Sequence, residues 1–331
     1  MQLTQKKSRR GDLLTAAAVA MLLAVMAALL YTGSLTRQVT NMLIPTAVYI
    51  VMAVSLNLVV GLLGELSLGH AGFMSVGLFS GCLVAIALTN TALPLMVPLP
   101  VSMLAGGLTA AVFGLLVGLP TLRLRGDYLA IVTLACGEII KNIITNLRVT
   151  GGALGLNTTA IYAGAKELLP YGAALVLLTV AVMLNLKRSK YGRAIMAIRD
   201  NRIAAESVGL SVTRYKLAVF VIAAFFAGCA GVLYGHSLAN IKAAAFDYNM
   251  SIEILVIVVL GGMGSVSGSV VSAIVLTVLP EALREVADYR MLVYAVVLIL
   301  VMQATNNPAM KRFFGAACKS LTPKRKERAA L

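Results

Sequence analysis

Long hydrophobic runs dominate the chain, and short polar segments separate them. An α-helix rises about 1.5 Å per residue, so roughly 20 apolar residues are needed to cross about 30 Å of membrane hydrocarbon. The runs that predict full membrane spans are 13–31, 39–63, 66–88, 94–118, 128–147, 167–186, 215–238 and 289–305. The pattern therefore predicts an all-α, polytopic membrane protein.

One further apolar run, 251–283, is too long for a simple span and contains a glycine-rich interruption. The interruption reads Gly261-Gly262-Met263-Gly264-Ser265. Because glycine weakens helices and exposes backbone, this composition predicts a break. We expect a hairpin or two half-helices here, which gives about eight full spans plus a broken-helix hairpin, or 8–10 transmembrane helices.

Composition supports a membrane-embedded domain. Of the 331 residues, 60% are hydrophobic and only 12% are charged, and the mean hydropathy is +0.91. Soluble domains carry about 25% charged residues, so a water-soluble globule is excluded. We expect a basic cytoplasmic N-terminus at 1–12, a membrane domain at 13–305 with a cytoplasmic loop at 187–214, and a basic cytoplasmic tail at 306–331.

The net charge of +15 comes from clustered basic residues. Lys and Arg concentrate before the first run, in the loop 187–216 and in the tail. Cytoplasmic loops of membrane proteins carry such an excess, so the clusters indicate orientation rather than nucleic-acid binding. With the N-terminus inside, six spans return residue 187 to the cytoplasm. The absence of Lys and Arg between Arg37 and Arg123 fixes only an odd number of crossings there.

The cysteines give no sign of a disulfide framework or a metal site. The sequence contains Cys82, Cys136, Cys229 and Cys318, without CxxC-like spacing. His70 has no second His or Cys near it in the sequence, so no metal ligation is predicted.

Two segments, 64–72 and 261–268, place glycine and polar residues inside apolar sequence. Backbone at membrane depth must form its own hydrogen bonds, so non-helical segments there need protein or a water-filled path around them. We therefore predict that these segments line an interior path. The candidate residues are Asn57, Glu65, Ser67, His70, Gly261, Gly262 and Ser265.

Glu65 is the only charged residue between Arg37 and Arg123. A lone ionisable group inside a membrane costs a few kcal/mol unless it faces an interior path, which makes Glu65 a pathway candidate. The alternative is that Glu65 and His70 lie at the membrane face and form hydrogen bonds at helix ends. The sequence leaves both interpretations open.

Residues 187–216 predict two short amphipathic helices. The first has an apolar face of Ile195, Met196 and Ile198, and the second one of Ile203, Ala204 and Val208. Asp200 or Asn201 is suited to cap the second helix, and Gly209 to end it. Such a pair is suited to docking a cytoplasmic partner, but the same pattern is typical of a helix on anionic lipid.

Small residues four positions apart predict close helix packing rather than chemistry. The pairs are Gly77 and Gly81, Gly114 and Gly118, Gly231 and Gly235, and Gly264 and Gly268.

Several separated motifs, in order along the chain, carry a resemblance. They are GELSLGHAGF at 64–73, LRGDYLAIVTLACGEI at 124–139, TGG at 150–152, SIEILVIVVLGGMGSVSG at 251–268 and the loop sequence at 191–216. Together they resemble LivM-type permeases, the membrane subunits of branched-chain amino acid ABC importers. The resemblance covers roughly 40–300 and leaves the two ends without a matching motif.

The resemblance implies a permease subunit in the plasma (bacterial inner) membrane with both termini cytoplasmic. Its implied partners, besides the lipid bilayer, are a second homologous permease, two cytoplasmic ATP-binding subunits and an external solute-binding protein. That external protein would meet the stretches 148–166 and 239–250. The chain lacks a GxxxxGK[ST] phosphate loop, so the partner subunits would bind and hydrolyse ATP. No cofactor and no enzymatic activity are expected in the chain itself.

The resemblance also places ATPase coupling in the loop. The implied coupling residues are Arg193, Ile198, Arg199, Asp200, Ala205, Glu206 and Gly209.

Two alternatives stay open at the level of sequence. One keeps the ABC architecture and changes the cargo to urea, short amides or a sugar. The other is a stand-alone secondary transporter or channel, which usually needs intramembrane acids such as Glu65, Glu138 and Glu253.

Overall fold

The computed structural model describes residues 2–32, 36–89, 98–124 and 126–282, together with Val296 and Ile299. The chain divides into two compact units, Met1–Val278 and Leu279–Leu331. Apart from those two single residues, the predicted span 289–305 and the whole of the predicted tail 306–331 lie outside the described residues.

Most of the described residues are helical. The helices are α1 (Gln2–Tyr31), α2 (Arg37–Asn57), α3 (His70–Thr89), α4 (Pro98–Thr121), α5 (Asp127–Asn146), α6 (Ala165–Arg188), α7 (Lys190–Asp200), α8 (Arg202–Ser207), α9 (Val212–His236), α10 (Tyr248–Gly261) and α11 (Val266–Ala282). Two short strands, β1 (Leu156–Asn157) and β2 (Asn240–Ile241), pair antiparallel. The predicted polytopic all-α architecture is confirmed.

Within the described part of the chain, seven helices are long and apolar enough to cross a membrane. They correspond to α2 with its extension to Leu63, α3, α4, α5, α6, α9 and α10 with the short turn before it. Two shorter apolar helices, Ala16–Leu30 and Val266–Pro280, lie in α1 and α11.

The glycine-rich break between α10 and α11 forms a hairpin. Gly262 and Gly264 have φ angles of +87° and +81°, which glycine adopts without strain. Ser272 Oγ donates a hydrogen bond to the carbonyl oxygen of Ile257 at 2.6 Å. Gly261 lies so close to Gly268 that a Cβ there would overlap the Gly268 backbone. Since both pairs are centred on the same break, α11 returns antiparallel along α10, as the sequence predicts.

A second break follows α2. One turn of π-helix, Leu58–Leu63, extends that helix, and Gly64 then adopts a φ of +79°. Residues 65–69 are non-helical, and α3 begins at His70. The predicted span 66–88 therefore starts four residues too early, because the alternation of Leu66 and Leu68 with polar residues belongs to irregular backbone.

The start of α3 lies well inside the helix bundle. The backbone N–H of Ala71 donates to Ser251 Oγ at 3.2 Å. Ser251 precedes Gly261 by ten residues on α10, a rise of roughly 15 Å. A Cβ on Gly61 would overlap the backbone of Gly264, so the chain leaves α2 at the level of the hairpin turn. The non-helical segment therefore carries the chain from that level toward the middle of the bundle.

Helix α9 is central to the core and packs on α3 and α4. Cβ atoms on Gly77 and Gly228 would overlap backbone of α9 and α4, respectively. A Cβ on Gly231 would overlap the Met74 carbonyl oxygen. The glycine pairs of α3 and α9 are thus packing contacts, as the sequence predicts.

Candidate coupling and pathway sites

Helices α7 and α8 confirm the two short helices predicted for the loop. Ser189 Oγ accepts a hydrogen bond from the Gly192 N–H at 3.0 Å and caps α7. Asn201 Oδ1 accepts from the Ala204 N–H at 3.0 Å and caps α8. Of the two predicted capping residues, Asn201 therefore takes the role. Gly209 follows α8 with a φ of +86° and turns the chain toward α9.

The inner face of the loop is a small apolar cluster. Ile198, Ala205 and Val212 are buried together, with Leu210 and Tyr215 packed against them. The predicted face of α7 is correct, since Ile195 and Ile198 are buried. The apolar face predicted for α8 is exposed.

Helix α8 directs its predicted apolar residues away from the inner cluster. Ile203 is 80% exposed and Val208 81% exposed, whereas Ala205 is the buried residue. The helix has only six residues, and Ala205 is its buried residue. Ala205 packs in the cluster that contains Ile198 and Val212. The loop thus presents exposed apolar side chains among charged ones.

The structure divides the implied coupling residues into two groups. Ile198 and Ala205 belong to the inner cluster. The other members are exposed: Arg193, Arg199, Asp200, Glu206 and Gly209. Two ion pairs order this surface, Arg199 with Asp200 at 3.0 Å and Arg202 with Glu206 at 2.9 Å.

The loop end of the molecule contacts both glycine-containing breaks. Arg199 Nη1 donates to the Gly61 carbonyl oxygen at 3.0 Å. Its aliphatic stem lies against Gly64, where a Cβ would overlap it. Lys187 Nζ, near the end of α6, donates to the Gly264 carbonyl oxygen at 2.8 Å. A movement of α7 would therefore displace Arg199, which directly contacts the backbone at the end of α2.

Asn57 joins the two breaks. Its side chain is fully buried. Oδ1 accepts from the Gly264 N–H at 2.7 Å, and Nδ2 donates to the Ser265 carbonyl oxygen at 3.1 Å and to Ser269 Oγ at 2.8 Å. An unbroken series of contacts thus runs from Arg199 through Gly61 and Asn57 to the hairpin turn.

Glu65 forms an ion pair with Lys216, and both side chains are largely buried, at 12% and 4% exposure. Lys216 lies in the second turn of α9, near the loop. This arrangement favours the interpretation that Glu65 lies at a helix end and anchors the chain there. Sequence reasoning counted Lys216 only as one member of a basic cluster.

The remaining pathway candidates lie apart from this pair. His70 Nε2 and Ser55 Oγ are 2.9 Å apart in the buried interior. Ser67 is buried, and its hydroxyl has no hydrogen-bond partner among the described residues. Asn57, Gly261 and Ser265 come together at the hairpin, whereas Ser67 and His70 follow the non-helical segment into the bundle. Thr133 Oγ1, a partner missed from sequence, accepts from the Leu68 N–H at 3.1 Å.

The two short strands lie at the end of the bundle opposite α7 and α8. Leu156 pairs with Ile241 and Asn157 with Asn240. This ribbon joins the two predicted external stretches. Helix α9 separates it from the loop by 25 residues, a rise of roughly 37 Å.

The sequence matches the family model described as branched-chain amino acid transport system / permease component over residues 38–302. The chain belongs to this permease family. Its match covers α2 to α11 and every candidate residue named above.

Individual relatives of the permease agree with the family. The chain is 36% identical over 296 residues to the high-affinity branched-chain amino acid transport system permease protein LivM of Salmonella typhimurium, and 37% identical over 290 residues to that of Escherichia coli. Each match covers 78% of this chain and 66% of the relative, so the chain spans about two thirds of those relatives' length. The ribose import permease protein RbsC of Haemophilus influenzae is 25% identical over 83% of this chain and 86% of its own. No solved structure matches the chain.

Proposed function

We propose that this permease is the membrane-spanning subunit of an ABC importer for branched-chain amino acids. The observation that carries the proposal is the identity of 36–37% with LivM proteins over 78% of the chain. The chain would transport without catalysing a reaction, and it would lie in the bacterial inner membrane with both termini cytoplasmic.

The proposal includes the partners that such an importer needs. Two cytoplasmic ATP-binding subunits would supply the energy, and a second homologous permease would complete the membrane part. An ATP-binding subunit would dock on α7 and α8, where exposed apolar and charged side chains lie together. An external solute-binding protein would meet the opposite end, at the β1–β2 ribbon.

Alternating access would then depend on the contacts at the loop end. Closure of the ATP-binding subunits would push α7, and Arg199 would transmit the displacement to Gly61 and, through Asn57, to the hairpin. The predicted pathway residues Ser67, His70, Gly261, Gly262 and Ser265 would line a path that opens on one face of the bundle at a time. Glu65, the remaining candidate, would anchor the chain through Lys216.

The decisive experiment is uptake of leucine by vesicles that contain the complete set of subunits and the solute-binding protein. We expect uptake that needs ATP inside the vesicle, at the face of the ATP-binding subunits. Vesicles with the permease alone serve as the control and should not accumulate leucine. Uptake by the permease alone, or uptake that follows an ion gradient without ATP, would overturn the proposal.

One alternative cargo has support from the comparisons. The 25% identity with a ribose import permease favours a sugar as the second candidate. The same vesicles distinguish the two, since ribose would then be accumulated in place of leucine. A secondary transporter is less well supported, because two of its three candidate acids, Glu65 and Glu138, pair with lysines, Lys216 and Lys141.

A further inference from the structure

Glu253 is an acidic residue within the predicted membrane domain that the coupling contacts do not use. It lies in the second turn of α10 and is partly buried. Ile257 and Leu260 follow it on the same helix face at spacings of four and seven residues, and both are buried. Glu253 is therefore turned toward the bundle rather than toward lipid.

Two tyrosines from other helices border this carboxylate. The hydroxyl of Tyr49, on α2, donates to Glu253 Oε2 at 3.3 Å. Tyr234, on α9, lies close enough to interact electrostatically with the carboxylate. The rings of Tyr234 and Phe246 form a T-shaped pair with centroids 6.5 Å apart. Glu253 on α10 thus forms a hydrogen bond with a tyrosine of α2 and interacts electrostatically with a tyrosine of α9.

Among the described residues, no Lys, Arg or His forms an ion pair with Glu253, in contrast to Glu65 and Glu138. An ionised carboxylate at membrane depth costs free energy unless it finds a cation. Tyrosine rings attract cations as well, through their negative faces. The arrangement is therefore complementary to a positively charged group that the described chain does not supply.

We propose that Glu253, Tyr49 and Tyr234 form a transient binding site for the α-ammonium group of the amino acid cargo. The inference rests on the proposed function, since it specifies where that cargo pauses. Glu253 supplies the negative charge, the Tyr49 hydroxyl orients it, and the Tyr234 ring lies beside the cation.

The proposed site is also connected to the hairpin between α10 and α11. Glu253 precedes Gly261 by eight residues on α10, a rise of roughly 12 Å. Gly261 is the last residue of α10 before the hairpin turn, and the Gly264 N–H in that turn donates a hydrogen bond to Asn57 Oδ1. A displacement of the hairpin would therefore shift Glu253 relative to Tyr49 on α2 and release the cation.

The test uses the complete importer in vesicles and 3-methylbutylammonium, which keeps the ammonium group and side chain of leucine and lacks its carboxylate. We expect this cation to inhibit ATP-dependent leucine uptake. In Glu253→Gln the inhibitory concentration should rise roughly ten- to hundred-fold, because a neutral amide oxygen replaces the charged acceptor of the ammonium group. Glu253→Asp should retain part of the sensitivity. Glu167→Gln, an exposed acid on α6, is the matched control and should behave as the unaltered chain.

A second measurement needs no substitution. A hydrophobic carbodiimide modifies membrane carboxyl groups, and mass spectrometry of the Glu253 peptide reports its extent. We expect 3-methylbutylammonium to slow this modification and the uncharged alcohol 3-methylbutanol to leave it unchanged.

The outcomes separate the two proposals. Unchanged inhibition in Glu253→Gln, or the absence of protection from the carbodiimide, would overturn the ammonium site while leaving an ATP-dependent importer intact. Failure of the unaltered chain to support ATP-dependent leucine uptake would instead refute the proposed function.

Discussion

Asn57 is a buried residue whose side-chain amide connects the end of α2 to the hairpin turn between α10 and α11. Its substitution tests how much this connection contributes to stability. In Asn57→Ala, the Gly264 N–H loses its acceptor, Ser269 Oγ loses a donor, and the Ser265 carbonyl oxygen keeps only its bonds from Ser269. We expect a loss of about 1–3 kcal/mol in unfolding free energy, the usual cost of leaving buried polar groups unpaired. Leucine uptake should fall with it.

The measurement is thermal unfolding of the purified permease, followed by uptake in vesicles. Asn146→Ala is the matched control, because Asn146 is exposed and donates only to Asn142 within its own helix. Equal unfolding temperatures in the two variants would contradict the role assigned to Asn57.

At the residue scale, the sequence identifies the unusual groups but not their partners. Asn57 and Glu65 stand out because they are polar residues in apolar sequence. The partner of Asn57 lies 207 residues away and that of Glu65 lies 151 residues away. Those pairings depend on how the helices pack, so a single sequence does not reveal them.

At the scale of helices, the contact between α3 and α9 depends on glycine. In Gly77→Val the new side chain would overlap the Gly228 backbone, which has no flexible end to move aside. We expect a loss of stability of about 1–3 kcal/mol from overpacking, and a lower yield of folded protein.

Size-exclusion chromatography after membrane extraction measures that yield. Gly164→Ala is the control, since a Cβ at Gly164 meets no atom within 4 Å. A normal yield of Gly77→Val would mean that α3 and α9 lie farther apart than described.

Helix positions follow from hydrophobic run length, which is why the predicted spans agree with α2, α4, α5, α6 and α9 to within a few residues. The failures come from local context. The run at 66–88 hides a non-helical start, because Leu66 and Leu68 are apolar whether the backbone is helical or not. The apolar pattern also does not tell which residue of α8 is buried: Ala205 is, whereas Ile203 and Val208 are exposed.

At the scale of the whole molecule, the exposed apolar residues of α8 test the docking of an ATP-binding subunit. In Ile203→Glu the fold should persist, since the side chain is already exposed. Association with the ATP-binding subunits should weaken roughly ten-fold or more, as for a central interface residue.

Co-purification with those subunits gives the measurement. Leu154→Glu is the matched control, because Leu154 is 83% exposed near the opposite end. Full association of Ile203→Glu would indicate that α8 rests on lipid instead.

The β1–β2 ribbon has a mechanical consequence. The N–H of Ala163, just before α6, donates to the carbonyl oxygen of His236, the last residue of α9. Together with the ribbon, this bond fastens the two helices at one end. At the other end the chain connects them through α7 and α8, while Lys187 of α6 contacts Gly264 and Lys216 of α9 contacts Glu65. A force on α7 and α8 would therefore change the separation of α6 and α9 at the loop end more than at the ribbon, and it would act on Gly264 and Glu65 at the same time.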